Sequence, residues 1–260
     1  MNARAALVTL TVALRKGAAE RGGLYFAAGF YMIVSWALGS VWRMAAEANG
    51  GEVAGYTAVA LTWYIATSEA AVVSLNARLI EDVGIAIGDG SIAIEMLRPA
   101  SVLGIRVVTE LGRSLPRLGA CVAAGVFVAV VTGGAPPDPL ALLLVPPALL
   151  LAVTCNLVAM HAFSGAGFWL RDTRSAWFLY QKLVFLLGGM LLPLQVLPDA
   201  LERVAFALPF LAMAYAPSRL AAGHFEPWLL LVQAGWLVVL WLLAVRVFAA
   251  GERRLVMAGA

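Results

Sequence analysis

Six long apolar runs divide the sequence, and their length is the strongest constraint on how the chain can fold. The runs cover approximately residues 24–44, 53–76, 115–133, 140–163, 177–195 and 227–249. A helix needs about 20 apolar residues to cross the hydrocarbon core of a bilayer, and it satisfies its own backbone hydrogen bonds there. Charged residues make up 13% of the chain, compared with about 25% in soluble domains. We therefore predict an all-α integral membrane protein in which residues 1–260 form one domain with six transmembrane helices.

The segment before the first apolar run, residues 1–22, has the pattern of an amphipathic helix. Leu7, Leu10 and Leu14 recur at helical spacing, and Arg4 and Arg15, eleven positions apart, lie within about 20° of each other around the helix. A helix of this kind lies along the membrane surface. We expect the glycine pair Gly22-Gly23 to end it and to turn the chain into the first transmembrane helix.

Arginine and lysine residues are unevenly distributed between the two sides that six transmembrane helices define. Fifteen of the 18 fall on one side, in the N-terminal segment, in residues 78–117, in residues 171–182 or near the C-terminus. Arg43, Arg203 and Arg219 fall on the other side. Because cytoplasmic segments of membrane proteins carry the excess of Lys and Arg, we predict that both termini are cytoplasmic.

Residues 78–114 form a charged insert between the second and third apolar runs, and this orientation makes the insert cytoplasmic. We interpret it as the place where a partner acts on the membrane domain. The residues on which this interpretation rests are acids, glycines and one arginine: Glu81, Asp82, Gly84, Gly88, Asp89, Gly90 and Arg98. The stretch from Gly84 to Gly90 favours a turn between two short helices, with Asp89-Gly90 as its hinge. A flexible loop without function, bearing solvated acids, is the alternative.

Two further charged features lie at or inside apolar runs and are candidates for a gate or an assembly contact. Glu69 lies inside the second run, where an acid is costly and tends to face a cavity or a partner. The alternative is an interfacial acid held by Arg78 or another nearby arginine. Arg171, Asp172 and Arg174 lie in a second charged insert, residues 167–177, just before the fifth run, where they can hold an inner gate or a helix end. A plain anchoring loop is the alternative there.

The region between the fifth and sixth runs, residues 193–227, is too interrupted for one transmembrane helix. Prolines recur through it, and one aromatic residue lies among them: Pro193, Pro198, Pro209, Tyr215 and Pro217. Proline in a helix interior removes a backbone hydrogen bond, so we predict short half-helices that re-enter the membrane from the outer side. Irregular backbone at that depth must be covered by protein or water.

The motifs of common enzyme and binding classes are missing from the sequence. Neither Lys16 nor Lys182 follows a glycine, so there is no GxxxxGK[ST] phosphate loop, and neither HExxH nor GxSxG occurs. We therefore expect no catalytic residue, metal site or cofactor in this chain. The basic pI of about 9.1 agrees with cytoplasmic arginines rather than with a nucleic-acid surface. Asn156 and Gln181 are better interpreted as interhelical hydrogen-bond formers than as substrate ligands.

Four stretches of the sequence resemble the membrane subunit of an ABC-2 type exporter, in the branch of small six-span permeases. They are the N-terminal surface helix, IEMLRPAS (94–101), AFSGAGFWLRDTRSAW (162–177) and the segment 186–223. The last is the most specific, because its glycines, prolines and aromatics fall in register with the family pattern: Gly189, Pro193, Leu194, Leu197, Pro198, Leu208, Pro209, Phe210, Tyr215, Pro217 and Gly223. Gly188 departs from it, since serine is frequent there.

The resemblance implies a role in transport. Membrane subunits of this family pair with a second permease, identical or similar, and bind two ABC ATPase subunits that carry ATP and Mg²⁺. The insert at 78–114 would couple to the ATPases, and the outer half-helices would cap the exit. The expected protein is a permease, without enzymatic activity of its own, that exports an amphipathic or hydrophobic substrate across a bacterial inner membrane. An ATP-independent secondary carrier or a membrane assembly factor is the alternative.

Overall fold

The computed structural model of the protein describes residues 3–96, 101–170 and 172–257. Arg98 and Arg171, which the sequence marks as candidates, lie outside the described residues. The described chain is almost entirely helical. It also contains one short two-stranded sheet that the all-α prediction did not include.

Two helices form the N-terminal part. Helix α1 spans Ala3–Ala19 and packs lengthwise on a later helix, and α2 spans Arg21–Ala48. The prediction that Gly22-Gly23 ends the first helix is wrong. The break falls at Glu20, whose backbone is non-helical at φ −78° and ψ 56°. Neither glycine adopts a positive φ, so both continue the second helix.

A hairpin follows α2 and leads into a buried helix. Strands β1 (Glu52–Val53) and β2 (Tyr56–Thr57) pair antiparallel. Helix α3 then spans Ala58–Val73, and the Thr57 hydroxyl caps it by accepting a hydrogen bond from the backbone N–H of Ala60 at 3.2 Å. A side-chain cap of this kind satisfies a backbone donor that the first helical turn leaves without a partner.

The charged insert predicted at residues 78–114 consists of two short helices and the first part of a long one. These are α4 (Leu79–Gly88), α5 (Ser91–Met96) and α6 (Val102–Gly133). Helix α6 is 32 residues long, which corresponds to about 48 Å at 1.5 Å per residue. A hydrocarbon core is about 30 Å thick, so only part of this helix lies within one. This agrees with the expectation that its charged first half lies outside the apolar region.

The remaining helices complete the bundle. Helix α7 spans Pro139–Leu142, and α8 spans Val145–Ser164 with Pro146-Pro147 in its first turn, where the backbone N–H groups have no partner inside the helix. Short 3₁₀ helices separate the later elements, at Gly165–Phe168, Leu194–Val196 and Pro209–Ala212. The later α-helices are α9 (Arg174–Leu187), α10 (Asp199–Phe206), α11 (Tyr215–Ala221) and α12 (Trp228–Met257).

Four of the described helical segments are long and apolar enough to cross a membrane. They are Arg21–Ala48, Val102–Gly133, Val145–Phe168 and Trp228–Arg254. Helices α3 and α9 occupy the positions predicted for the second and fifth crossings, but they have only 16 and 14 residues. The prediction of an all-α membrane protein is confirmed at this level, and the count of six crossings stays a prediction.

The most deeply buried helices are α3, α8 and α11. Twelve of the 16 residues of α3 are buried, and α11 packs against both α3 and α8. By contrast, α2, α6 and α12 expose large apolar side chains such as Ile33, Phe127 and Leu231. Apolar residues that face outward on long helices are suited to contact with lipid.

Candidate functional site

The charged insert begins with a pair of short helices joined by a tight turn. Helix α4 ends at Gly88, the turn is Asp89-Gly90, and α5 begins at Ser91. Gly90 has φ +78°, which is the left-handed region that only glycine adopts without cost. The predicted hinge at Asp89-Gly90 is therefore confirmed.

The stretch from Gly84 to Gly88 differs from its prediction as part of the turn, because it lies inside α4. Helix α4 buries Leu79, Ile80, Val83 and Ile87. These residues recur at helical spacing, so their burial favours a continuous helix over a turn at the glycines.

Asp89 stabilises the turn that follows α4. Its Oδ1 accepts a hydrogen bond from the backbone N–H of Ser91 at 2.9 Å. This bond to the ionised form lowers the pKa of the Asp89 carboxyl group below its ordinary value. Asp89 thus lies fixed and charged at the exposed tip between the two helices.

Helix α4 packs directly on the segment that leads into α9. The Thr173 hydroxyl donates a hydrogen bond to the backbone carbonyl of Ile80 at 3.3 Å. Gly84 lies so close that a β-carbon there would overlap the Thr173 side chain, and Gly167 meets the same turn of α4. The two charged inserts, which the sequence presents as separate features, therefore form one structure.

A groove of about 560 Å³ lies at this junction. It is lined by residues of both inserts: Arg78, Glu81, Gly84, Ile85, Gly88, Asp89, Asp172, Thr173 and Arg174. The groove thus brings together four of the candidate coupling residues and two of the candidate gate residues. Asp82 points elsewhere and pairs with Arg78 at 3.9 Å and with Asn76 at 3.3 Å.

Asp172 holds the beginning of α9. Its Oδ1 accepts a hydrogen bond from the backbone N–H of Arg174 at 2.9 Å. This arrangement agrees with the expectation that the charged segment holds a helix end. Its expected part in a gate stays a prediction.

An ion pair that the sequence analysis missed ties α5 to α6. Arg106 binds both carboxylate oxygens of Glu95, at 2.8 Å through Nε and 2.7 Å through Nη2. Such two-point pairs fix relative orientation as well as distance. The two residues are eleven positions apart, and no local sequence pattern marks them as partners.

Glu69 lies in the buried part of α3 and is 2% exposed. Its Oε1 has no hydrogen-bond partner among the described residues. The alternative that Arg78 holds this acid is wrong, because the Arg78 side chain is 72% exposed and pairs with Asp82. Burial without a partner is costly for a carboxylate, so Glu69 requires a further explanation.

A cavity of about 460 Å³ lies beside Glu69, which is one of its lining residues. Its walls come from α2, α3, the segment after α3, α8, α9 and the turn after α9: Phe30, Val34, Leu38, Glu69, Val72, Val73, Leu75, Ala77, Asn156, Met160, Trp177, Tyr180, Gln181, Val184, Phe185, Met190 and Leu191. Apolar and aromatic side chains dominate this list. Such a lining is typical of sites for organic ligands, in which a few polar groups fix orientation.

Hydrogen bonds hold the wall of the cavity opposite α3. The Tyr180 hydroxyl donates to Asn156 Oδ1 at 2.7 Å, and Asn156 Nδ2 donates to the backbone carbonyl of Met213 at 3.3 Å. The prediction that Asn156 forms interhelical hydrogen bonds is confirmed. These bonds link α8, α9 and the segment before α11.

The region 193–227 forms short helices whose starts coincide with prolines. Pro193 and Pro198 immediately precede helices, and Pro209 opens one. Tyr215 opens α11, and Pro217 lies in its first turn. Proline is tolerated at these positions because the N–H groups of a first turn have no partner inside the helix.

The same region contains a polar cluster that the sequence analysis missed. Arg219 donates through Nη1 to the Tyr56 hydroxyl at 2.7 Å and pairs through Nη2 with Glu226 at 3.1 Å. The Tyr215 hydroxyl accepts a hydrogen bond from Gln195. The cluster ties the hairpin after α2 to α11, across 163 positions of the chain in the case of Tyr56 and Arg219.

Comparison with known families identifies a match over most of the chain. A family model described as "ABC-2 family transporter protein" matches residues 33–259. A search of the curated proteins gave no match. The matched range includes both charged inserts, the polar cluster of Tyr56, Arg219 and Glu226, and every residue of the cavity lining except Phe30.

Proposed function

Because the chain belongs to the ABC-2 transporter family, we propose that it is the permease subunit of an ATP-driven exporter in a bacterial inner membrane. The family makes the chain a membrane transport component and implies association with an ABC ATPase subunit. ATP and Mg²⁺ would bind to that partner, since the sequence has no GxxxxGK[ST] loop. A second permease, identical or similar, and the surrounding lipid complete the proposed assembly.

The observation that carries the proposal is the groove between α4 and the start of α9. It joins an exposed apolar side chain, Ile85 at 59% exposure, to exposed acids and arginines of both inserts. An apolar centre with a charged rim is typical of a protein-docking surface. The excess of arginine and lysine on this side of the molecule supports a cytoplasmic position, where ATPase subunits would lie.

The contact at Gly84 suggests how ATP would act on the membrane domain. A partner that displaces α4 also displaces Thr173, which lies against it and directly precedes α9. Helix α9 supplies Trp177, Tyr180 and Gln181 to the cavity. ATP bound to the partner and a ligand bound in the cavity would then bias the same equilibrium between two conformations. Each would therefore change the affinity for the other. The outer half-helices would close the exit.

Charge reversal in the groove tests the proposal. We expect Glu81→Lys to reduce the amount of ATPase subunit that co-purifies with the tagged chain and to lower ATP hydrolysis by the complex by about tenfold, the effect of 1.4 kcal/mol. Glu47→Lys, at an exposed position far from the groove, is the matched control and should leave both unchanged. If Glu81→Lys changed neither the co-purification of the ATPase subunit nor ATP hydrolysis, the proposed coupling role of the groove would be wrong. Absence of any ATPase subunit in the wild-type complex would remove the proposed function.

A secondary carrier is the second candidate, and Glu69 is the observation that favours it. An ionisable residue inside a transmembrane segment is typical of proton-coupled carriers. Transport into vesicles that contain only this chain, driven by an imposed pH gradient, would support the carrier. Transport that requires the ATPase subunit and ATP would support the exporter.

A further inference from the structure

Glu69 and the cavity beside it form a binding site whose chemistry neither the family match nor the docking groove explains. We propose that this cavity binds an amphipathic organic cation, with Glu69 as the anionic anchor and the surrounding rings as the apolar wall. This inference rests on the proposed function for its place in transport, because it names the substrate class of the same permease.

The first argument is charge. Of the described residues that line the cavity, Glu69 alone bears a formal charge, and its Oε1 has no hydrogen-bond partner. The four ion pairs in the described chain involve Asp82, Glu95, Glu110 and Glu226, so none neutralises Glu69. A buried carboxylate is stabilised by a cation of the ligand more than by any group around it.

The second argument is the composition of the wall. Phe30, Trp177, Tyr180 and Phe185 all line the cavity. Aromatic rings attract cations through the negative potential of their faces, and the attraction is stronger where water is excluded. The same rings and the aliphatic side chains between them also favour an apolar body. An anionic solute, by contrast, would be repelled by the charge of Glu69.

The third argument is access. The cavity extends from Leu75 and Ala77, beyond one end of α3, to Met190 and Leu191, beyond the far end of α9. Ala77 directly precedes Arg78 of the docking groove. Trp177, Tyr180 and Gln181 of α9 line the cavity. A ligand there therefore contacts the helix that a partner bound in the docking groove would displace. Its size, about 460 Å³, is within the range of sites for drug-sized molecules.

The test compares two ions of nearly the same size and opposite charge in the purified complex with its ATPase subunit. We expect tetraphenylphosphonium to bind and tetraphenylborate to bind more weakly. Glu69→Gln, which keeps the shape of the side chain but removes its charge, should weaken tetraphenylphosphonium binding by about tenfold or more, the effect of one lost charge-assisted contact. Glu47→Gln, at an exposed position in the last turn of α2 and outside the cavity lining, should leave tetraphenylphosphonium binding unchanged.

A second variant keeps the test decisive if Glu69→Gln fails to fold. Gln181 lines the same cavity from α9, so Gln181→Lys adds a positive charge while Glu69 stays in place. We expect this variant to lose tetraphenylphosphonium binding and to gain tetraphenylborate binding. Equal binding of tetraphenylphosphonium to the wild-type, Glu69→Gln or Gln181→Lys complexes, or tighter binding of tetraphenylborate to the wild type, would overturn the inference.

The same samples separate this inference from the proposed function. If the ATPase subunit co-purifies and hydrolyses ATP but tetraphenylphosphonium does not bind, the inference fails and the exporter stands. If tetraphenylphosphonium binding depends on Glu69 but no ATPase subunit associates, the cavity stands and the exporter fails. Dissociation of a permease dimer by Glu69→Gln, without any cation binding, would assign Glu69 to assembly instead and overturn the inference.

Discussion

At the residue scale, two glycines in one helix have opposite surroundings. A β-carbon at Gly84 would overlap Thr173, whereas one at Gly88 would meet no atom within 4 Å. Both glycines lie in α4. The sequence marked them together, as one glycine-rich stretch, and it contains no information that distinguishes the two.

This difference predicts the effect of alanine at each position. Gly84→Ala should destabilise the protein by about 1–3 kcal/mol, because the added methyl group forces α4 away from Thr173. Gly88→Ala should be neutral or stabilising by up to about 1 kcal/mol, because alanine is the better helix former. Thermal unfolding of the detergent-solubilised chain measures both. Equal shifts would contradict the packing of α4 on the second insert.

Removal of the Thr173 side chain provides the control for this prediction. If the loss in Gly84→Ala comes from the overlap, Thr173→Gly should recover much of it in the double variant. Residues in contact show such non-additive effects, whereas distant residues do not. Additive losses would assign the effect of Gly84→Ala to α4 alone.

At the element scale, features that depend on neighbouring residues were predictable from the sequence, whereas contacts between distant elements were not. The turn at Asp89-Gly90 and the interrupted region 193–227 both follow from residues close together in the chain, and the structure contains both of them. The helix break at Gly22-Gly23 was wrong, because glycine permits a helix to end but does not require it to.

The pairings between elements were not predictable in the same way. Thr173 and Ile80 are 93 positions apart, and Arg219 and Tyr56 are 163 positions apart. Hydrophobic periodicity assigns a face to each helix, but it does not select which helix covers that face. The candidate site was therefore predicted as two sets of residues, and only the packing of α4 on the start of α9 joins them.

The polar cluster of Tyr56, Arg219 and Glu226 gives a prediction at this scale. Tyr56→Phe removes the hydroxyl that accepts a hydrogen bond from Arg219 and should lower the free energy of unfolding by about 1–3 kcal/mol, since a half-buried donor loses its acceptor. Tyr25→Phe is the matched control, because Tyr25 is 75% exposed. Its effect should stay within about 0.5 kcal/mol. Thermal unfolding of both variants, in the same detergent, measures the difference.

A result in which the two tyrosine variants behave alike would mean that the hairpin is held by apolar packing. In that case Arg219→Leu should also be tolerated. If the cluster stabilises the protein as described, Arg219→Leu should cost at least as much as Tyr56→Phe, because Glu226 loses its partner as well.

At the scale of the whole molecule, the distribution of arginine and lysine and the number of crossings make one joint prediction. With six crossings, the hairpin after α2 faces outward and the turn between α4 and α5 faces the cytoplasm. A membrane-impermeant maleimide should therefore label Glu52→Cys on intact spheroplasts, but should label Asp89→Cys only after the membrane is opened. Both positions are exposed.

The native cysteines make this measurement clean. Cys121 and Cys155 are fully buried and form no disulfide, so the unmodified chain should give little background. Labelling of Asp89→Cys from outside would reverse the orientation. Labelling of both positions from the same side would show that α3 does not cross the membrane, and the count of six would then be wrong.

The contact between Gly84 and Thr173 also constrains how this chain can change over evolutionary time. Neither position can gain volume while the other keeps its present residue, because the two elements meet without a gap. A first substitution at position 84 is therefore accessible only to lineages in which position 173 has already become smaller. Across relatives the two positions should covary, although they are 89 positions apart in the sequence. A family in which they vary independently would have to separate these two inserts in space.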